Sequence, residues 1–246
     1  MLKKFDDLPE KFKNDDVLAY YELLRKKRLS LTVKRGFDFV VSLIMLTVIS
    51  PILLVLGVLI KADSKGSAIF KQERVTKYGR CFYIYKFRTM YTGSERGSQV
   101  TLKNDSRVTH IGGVLRKYRL DELPQLLNIL KGDMSFVGTR PEVKKYVDCY
   151  TDEMYATLLL PAGVTSLASI KYKDEDRLLA SAENSDDVYV NEILPQKMKY
   201  NLEYIKNFSF GKDIWLMLST VAAMLKKDSA DSGVSEKRKD GETVNV

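Results

Sequence analysis

Asp121 and Glu122 stand side by side in LRKYRLDELPQLLNILKGDMSFVGTRPEV, residues 115–143, and Pro124 follows two positions later. Proline fits a helix only in its first turn, where its missing N–H would have had no partner, so both acids are predicted at a helix N-terminus. There the helix dipole, with Arg116, Lys117 and Arg119 close in sequence, favours ionised carboxylates. One such carboxylate can attack an electrophile or bind metal. An acid–base pair would instead want one pKa raised by an apolar pocket, and the sequence shows no sign of one. The simpler alternative is an N-cap at Asp121 and a solvated Glu122 paired to an arginine.

Further cations bear on that choice. Lys86 and Arg88, two apart in a predicted strand, project from one face, and Arg140 is held by Pro141 after the short apolar run SFVG. Cations converging on carboxylates describe a site for a phosphorylated substrate, where divalent metal bridges acid to phosphate and arginine neutralises the remainder. No glycine-rich phosphate loop of the P-loop or dinucleotide type is present. The single histidine, His110, excludes sites needing two imidazoles and leaves a Ser/His/Asp triad only with His110 as base.

The elements that must position these groups are read from patterning. The 246 residues, 45% hydrophobic and 29% charged, suffice for one domain with appendages and a real core. A net charge of +8 suits anionic partners: nucleic acid, nucleotide phosphates or acidic lipid headgroups. Phe39 to Ile60 is a run of 22 residues without a charge, about 33 Å of helix and of membrane length. Ser50-Pro51 sits at its centre, and Pro51 offers no N–H to the carbonyl of Thr47. Both flanks are basic, with Lys26, Lys27, Arg28, Lys34 and Arg35 before and Lys61, Lys65 and Lys71 after, which places both ends in the cytoplasm. A helix-break-helix over 34–63, entering and leaving by one face, satisfies both observations; a spanning helix is the alternative, since proline is tolerated in true spans.

Residues 1–33 form a charged, partly helical extension expected at the membrane surface. IFKQERV and CFYIYKFRTM read as strands joined by TKYGR, with helices predicted at about 109–119 and 122–131 and Gly132 ending the second. Apolar residues recur at helical spacing from Lys197 to Lys227, and KDIWLMLSTVAAMLKK suits either an interfacial helix or one packed on the core. Residues 64–227 are expected to be the catalytic domain, and 228–246 a disordered tail. The fold class is therefore α+β, mostly helical. Cys81 and Cys149 read as free thiols.

In order along the chain, KRGFD, the apolar stretch with Ser50-Pro51, FKQERV, YKFRTM, LRKYRLDELPQLLNILKGDMSFVGTRP and DIWLMLSTV resemble the bacterial sugar transferases called monotopic phosphoglycosyl transferases, from about Lys34 to Lys226. The resemblance implies a re-entrant membrane hairpin and a small cytoplasmic catalytic domain at the bacterial inner membrane. It implies transfer of a sugar 1-phosphate from a UDP-sugar to a polyprenol phosphate. Asp121 would be the nucleophile, UMP the leaving group, and Glu122 would help hold Mg²⁺ or handle protons. Lys86, Arg88, Arg116, Arg119 and Arg140 would hold substrate, with Arg140-Pro141 near the nucleotide. Departures are Gly138-Thr139-Arg140-Pro141 for the family's G-P-R-P, Pro161 to Ser166 for its P-G-I-T-G, and Arg119 where a small hydroxyl residue is common. Asp186 and Tyr189 match a late family Asp/Tyr pair only weakly, and a solvated loop is expected there. Anionic lipids are expected partners and a homo-oligomer is compatible; nucleic acid is not expected, because no aromatic-basic reading motif is present. Direct transfer without a covalent intermediate and a catalytically silent membrane scaffold are the alternatives.

Overall fold

The computed structural model describes residues 2–93, 105–172, 179, 185–220 and 222. The tail 228–246 and much of the acidic stretch 174–190 lie outside the described residues.

The N-terminal extension is docked into the core of the domain. Leu2, Leu8, Phe12, Val17, Tyr21 and Leu24 are buried in one cluster with Tyr155, Leu158, Leu159 and Ile205. Helix α1 (Asp15–Arg25) places Val17, Tyr21 and Leu24 on one face, and Asn14 caps it by accepting from the Val17 N–H at 2.8 Å. Three apolar residues one turn apart suffice to dock a helix whose other positions are charged.

Helix α2 (Arg28–Asp63) is, among the described residues, the one helix long and apolar enough to cross a membrane. The break expected at Ser50-Pro51 does not interrupt it. The Thr47 carbonyl, which Pro51 deprives of an N–H, accepts instead from the Ser50 hydroxyl at 2.9 Å. The helix buries a single stripe, Lys34, Asp38, Ser42, Leu46, Ile49, Leu53, Leu56 and Ile60, each three or four residues from the last. Leu46 and Ile49 pack on Phe82, Ile84, Leu126 and Ile129, while Leu53 and Leu56 join Ile60, Phe87 and Leu115. Its other side, including Val40, Ile44, Val48, Ile52, Val55 and Val58, is exposed and apolar but for Thr47 and Ser50, a surface of the kind that associates with lipid.

Strands β1 (Ile69–Thr76) and β2 (Arg80–Phe87) form the expected antiparallel hairpin, with Ile69 opposite Phe87 and Thr76 opposite Arg80. The turn residues Tyr78 and Gly79 both take positive φ, 60° and 75°. Helix α3 (His110–Lys117) is capped by Thr109. The second predicted helix divides into a 3₁₀ turn, Leu120–Gln125, and α4 (Leu126–Lys131), which ends at Gly132 with φ 87° as expected. Strand β3 (Met134–Val137) pairs in parallel with β4 (Ala162–Thr165), a pairing the sequence did not suggest. Two glycines permit it, since a Cβ on Gly163 would stand 2.1 Å from the Gly138 nitrogen. Of the late helices, Leu194–Lys206 is a core helix burying Met198, Leu202 and Ile205. The helix over 210–220 buries Asp213 and Leu216 but exposes Trp215 and Leu218, so it combines both readings of that segment.

Candidate functional site

The acid pair occupies the first turn of the 3₁₀ segment, between α3 and α4. Two contacts hold that segment in place. Asn128 of α4 donates to the Tyr83 carbonyl at 2.8 Å and accepts from the Tyr85 N–H at 3.0 Å, occupying the free edge of β2. From α2, the Arg35 guanidinium caps the end of α4 through the carbonyls of Ile129 and Leu130, at 2.7 and 2.9 Å. At α2's far end Asp63 accepts from the Ile111 N–H at 3.0 Å, so α2 braces both ends of the segment carrying the acids.

Glu122 is committed to cations. Its Oε1 accepts from Lys86 Nζ at 2.8 Å and from Arg140 Nη2 at 3.1 Å. Burial alone would raise its pKa, but Arg140 and Lys86 outweigh that and hold it near 2, well below the carboxylate range. Asp121 differs. Among the described residues no side chain hydrogen-bonds its carboxylate, and burial, with the charge of Glu122 adding to it, pushes its pKa up while Lys86 and Arg116 pull it back. The two pKa values are thus driven in opposite directions, Glu122 down by its cations and Asp121 up by burial. Lys117 and Arg119, close to the acids in sequence, are exposed.

The linkage for Glu122 gives a test. A carboxylate whose folded pKa is depressed contributes stability above its unfolded value and loses it as pH falls towards the folded one. The stability difference between wild type and Glu122→Gln is therefore expected to be full well above pH 4.5 and to shrink as pH falls towards about 2. Denaturant unfolding in micelles at stepped pH measures it; a difference independent of pH would show that the ion pairs are not formed.

The remaining residues sort by contact. Arg116 of α3 donates from Nε to the Thr89 hydroxyl at 2.8 Å and lies within electrostatic range of Asp121. Arg88 does not share the face of Lys86: it lies just beyond β2, buried, with its guanidinium on the carbonyls of Ser64 at 2.7 Å and Lys65 at 2.9 Å, where it closes the end of α2. Those carbonyls occupy the donors that a phosphate would need. Pro141 is buried and its carbonyl accepts from Arg74 at 3.3 Å. Ser50 and Pro51 are exposed on α2, apart from this group. His110 is exposed at the start of α3, and Cys81 and Cys149 are free and exposed.

Sequence reasoning missed the groups beneath the Arg140 loop. Glu142 is buried and accepts from the Tyr189 hydroxyl at 2.7 Å and Lys197 Nζ at 3.2 Å, while its carbonyl accepts from the Val75 N–H at 2.9 Å. Tyr189 therefore is not in a solvated loop but in a π-helical turn (Tyr189–Ile193). Asp186 accepts from Tyr146 at 2.7 Å and Lys145 at 2.8 Å. The only advance signal was the Arg-Pro-Glu run itself, which places an acid directly after the loop.

The acids can ligate a cation. Magnesium takes oxygen ligands, commonly one or two carboxylates completed by substrate phosphates and water. The Asp121 carboxylate, which no described side chain engages by a hydrogen bond, and the Oε2 of Glu122 could supply that donor set, and the described residues contain no group of three or more His, Cys, Asp or Glu that would form an all-protein cage.

A helix with a long exposed apolar face thus braces an acid pair set among cations, an arrangement that suits a membrane-associated protein. The chain belongs to the bacterial sugar transferase family, whose model matches residues 29–227. It is 39% identical over 198 residues to the UDP-N-acetylgalactosamine-undecaprenyl-phosphate N-acetylgalactosaminephosphotransferase of Aeromonas hydrophila, covering 78% of this chain and 44% of that protein. It is 35% identical over 202 residues to the UDP-glucose:undecaprenyl-phosphate glucose-1-phosphate transferase of Caulobacter vibrioides, covering 80% and 71%. An exopolysaccharide production protein of Rhizobium leguminosarum is 35% identical over 210 residues, covering 81% and 98%. The chain thus spans less than half of the Aeromonas relative.

Proposed function

We propose that the protein transfers a sugar 1-phosphate from a UDP-sugar to a polyprenol phosphate such as undecaprenyl phosphate, at the cytoplasmic face of the bacterial inner membrane, in polysaccharide or glycoprotein glycan assembly. The observation that carries this reading is the division of labour between the acids: Glu122 is doubly ion-paired and Asp121 is not. An oxygen of the Asp121 carboxylate attacks the sugar-linked phosphorus. The bond from that phosphorus to the bridging oxygen breaks, and UMP departs with the electron pair, leaving a phosphosugar-aspartyl enzyme. An oxygen of the polyprenol phosphate then attacks the same phosphorus, the aspartate is displaced, and a polyprenyl diphosphate sugar is formed. Lys86 and Arg140, set by Glu122, and Arg116 neutralise the diphosphate, so that one anion can approach another. Magnesium, held by Glu122 and Asp121, would further neutralise the diphosphate and stabilise the leaving group.

The support from α2 is geometric. Packing of the helix on the domain from Lys34 to Ile60 supports a reading in which both of its ends stay on the domain's side of the bilayer. In a chain with Cys81 and Cys149 replaced by serine, Thr32→Cys and Ala62→Cys are each expected to resist a membrane-impermeant maleimide applied to the periplasmic side. Both should react once the inner membrane is opened. Labelling of either from the periplasm would show a spanning helix.

Function is tested by incubating the protein with a panel of UDP-sugars carrying radiolabel in the sugar phosphate. One UDP-sugar is expected to release UMP without acceptor, in an amount stoichiometric with enzyme and with label retained on the protein, and to turn over continuously with undecaprenyl phosphate. Turnover without any acceptor-independent UMP or retained label would establish direct transfer; no turnover with any donor would leave the scaffold reading.

A further inference from the structure

The five cations gathered around the acid pair by sequence fall into two sets. Lys86 and Arg140 are bound to Glu122, Arg116 to Thr89 and Arg88 to main-chain carbonyls. Arg119 is exposed, and its guanidinium has no hydrogen-bond or ion-pair partner among the described residues.

Its backbone is unusual as well. Arg119 has φ 53° and ψ 25°, the left-handed region that an arginine enters only at a cost of about 1 kcal/mol. The conformation ends α3, with the Arg119 N–H on the Arg116 carbonyl at 3.2 Å. It also starts the acid-bearing turn, with the Arg119 carbonyl accepting from Glu122 at 3.3 Å. A glycine or asparagine would serve that backbone with less strain, so the geometry of the turn does not explain the arginine.

The placement of α3 suggests what the side chain serves. One face, Ile111 and Leu115, packs with Leu53, Leu56 and Ile60 of α2, whose opposite side is the exposed apolar surface. Another face leaves Val114 and Tyr118 exposed. Helix α3 therefore joins the lipid-facing helix to the acids, and Arg119 stands at its end, two residues from Asp121.

We propose that Arg119 binds the phosphate of the lipid-borne acceptor, while Lys86, Arg140 and Arg116 serve the donor diphosphate. The proposal rests on the transfer reaction above. A phosphate monoester tethered to an apolar chain approaches from the lipid side and meets α3 before the buried cations. An exposed guanidinium outside the Glu122 cage can take that phosphate in bidentate fashion without surrendering an existing ion pair.

Arg119→Asn and Arg119→Lys in the full chain test this, because asparagine tolerates the left-handed backbone and lysine restores charge. In Arg119→Asn, acceptor-independent UMP release is expected to stay within about twofold of wild type. The KM for undecaprenyl phosphate should rise about tenfold, the scale of one lost charge-assisted contact, and Arg119→Lys should recover most of it. An unchanged acceptor KM would overturn the proposal, as would a loss confined to UMP release, which would put Arg119 on the donor side. Sedimentation with vesicles of anionic phospholipid separates general headgroup binding: weaker vesicle association with an unchanged acceptor KM would also overturn it. If wild type releases no UMP without acceptor, the covalent step fails, and the acceptor KM in steady state still decides the role of Arg119.

Discussion

Replacing Asp121 with asparagine is expected to abolish sugar-phosphate transfer, a fall of at least about 10⁴-fold, while leaving the fold untouched. The two halves of this expectation have different origins. Catalysis goes because an amide has no charge with which to attack phosphorus, and no neighbouring acid can substitute, since Glu122 is locked between Lys86 and Arg140. Stability is retained because Asp121 accepts no side-chain hydrogen bond among the described residues and its charge is disfavoured by burial and by Glu122. The melting temperature should be equal to or slightly above that of wild type. Full turnover by Asp121→Asn would refute the nucleophile assignment. Glu122→Gln should differ in losing stability together with activity.

The largest stability effect is expected at Lys34. Its buried ammonium donates to Asp213 at 2.5 Å and to the Val137 carbonyl at 2.9 Å, and Tyr204 completes the set by donating to Asp213 at 2.9 Å. Lys34→Met would leave the Asp213 charge buried with only a hydroxyl partner, a loss of about 3–5 kcal/mol. For a chain of this size that corresponds to about 10 °C in melting temperature. The double change Lys34→Met, Asp213→Leu should recover much of it, because removing both charges costs far less than stranding one. A single variant melting within a degree or two of wild type would mean that the pair is not formed. The contact also ties α2 to the end of β3, directly before Gly138-Thr139-Arg140, so donor binding should weaken alongside stability.

What the sequence disclosed follows the range of the interactions involved. The β1–β2 hairpin was legible because alternation and a turn are local, and the acid-bearing turn because Pro124 restricts where a helix can start. Helix α2 was legible from hydropathy, but its inward stripe was not: Leu46, Ile49, Leu53 and Leu56 differ from their exposed neighbours only in what they touch. The docking of Leu2, Leu8 and Phe12 and the parallel pairing of β3 with β4 depend on partners far along the chain. Arg88 shows the limit of reading chemistry from residue type: an arginine near an active site serves a helix end as readily as a phosphate. The raised pKa of Asp121 was invisible because burial is a property of the assembled fold.

The stripe on α2 also bears on any attempt to obtain this protein in water. Leu46 and Ile49 belong to the packing around Ile129, and Ile60 with Leu53 and Leu56 to that around Leu115. A version begun after Asp63 would strip both clusters of one wall and release the ends of the acid-bearing segment from Arg35 and Asp63. Helix α2 is thus not a detachable foot but a supporting beam, and removing it takes part of the core with it.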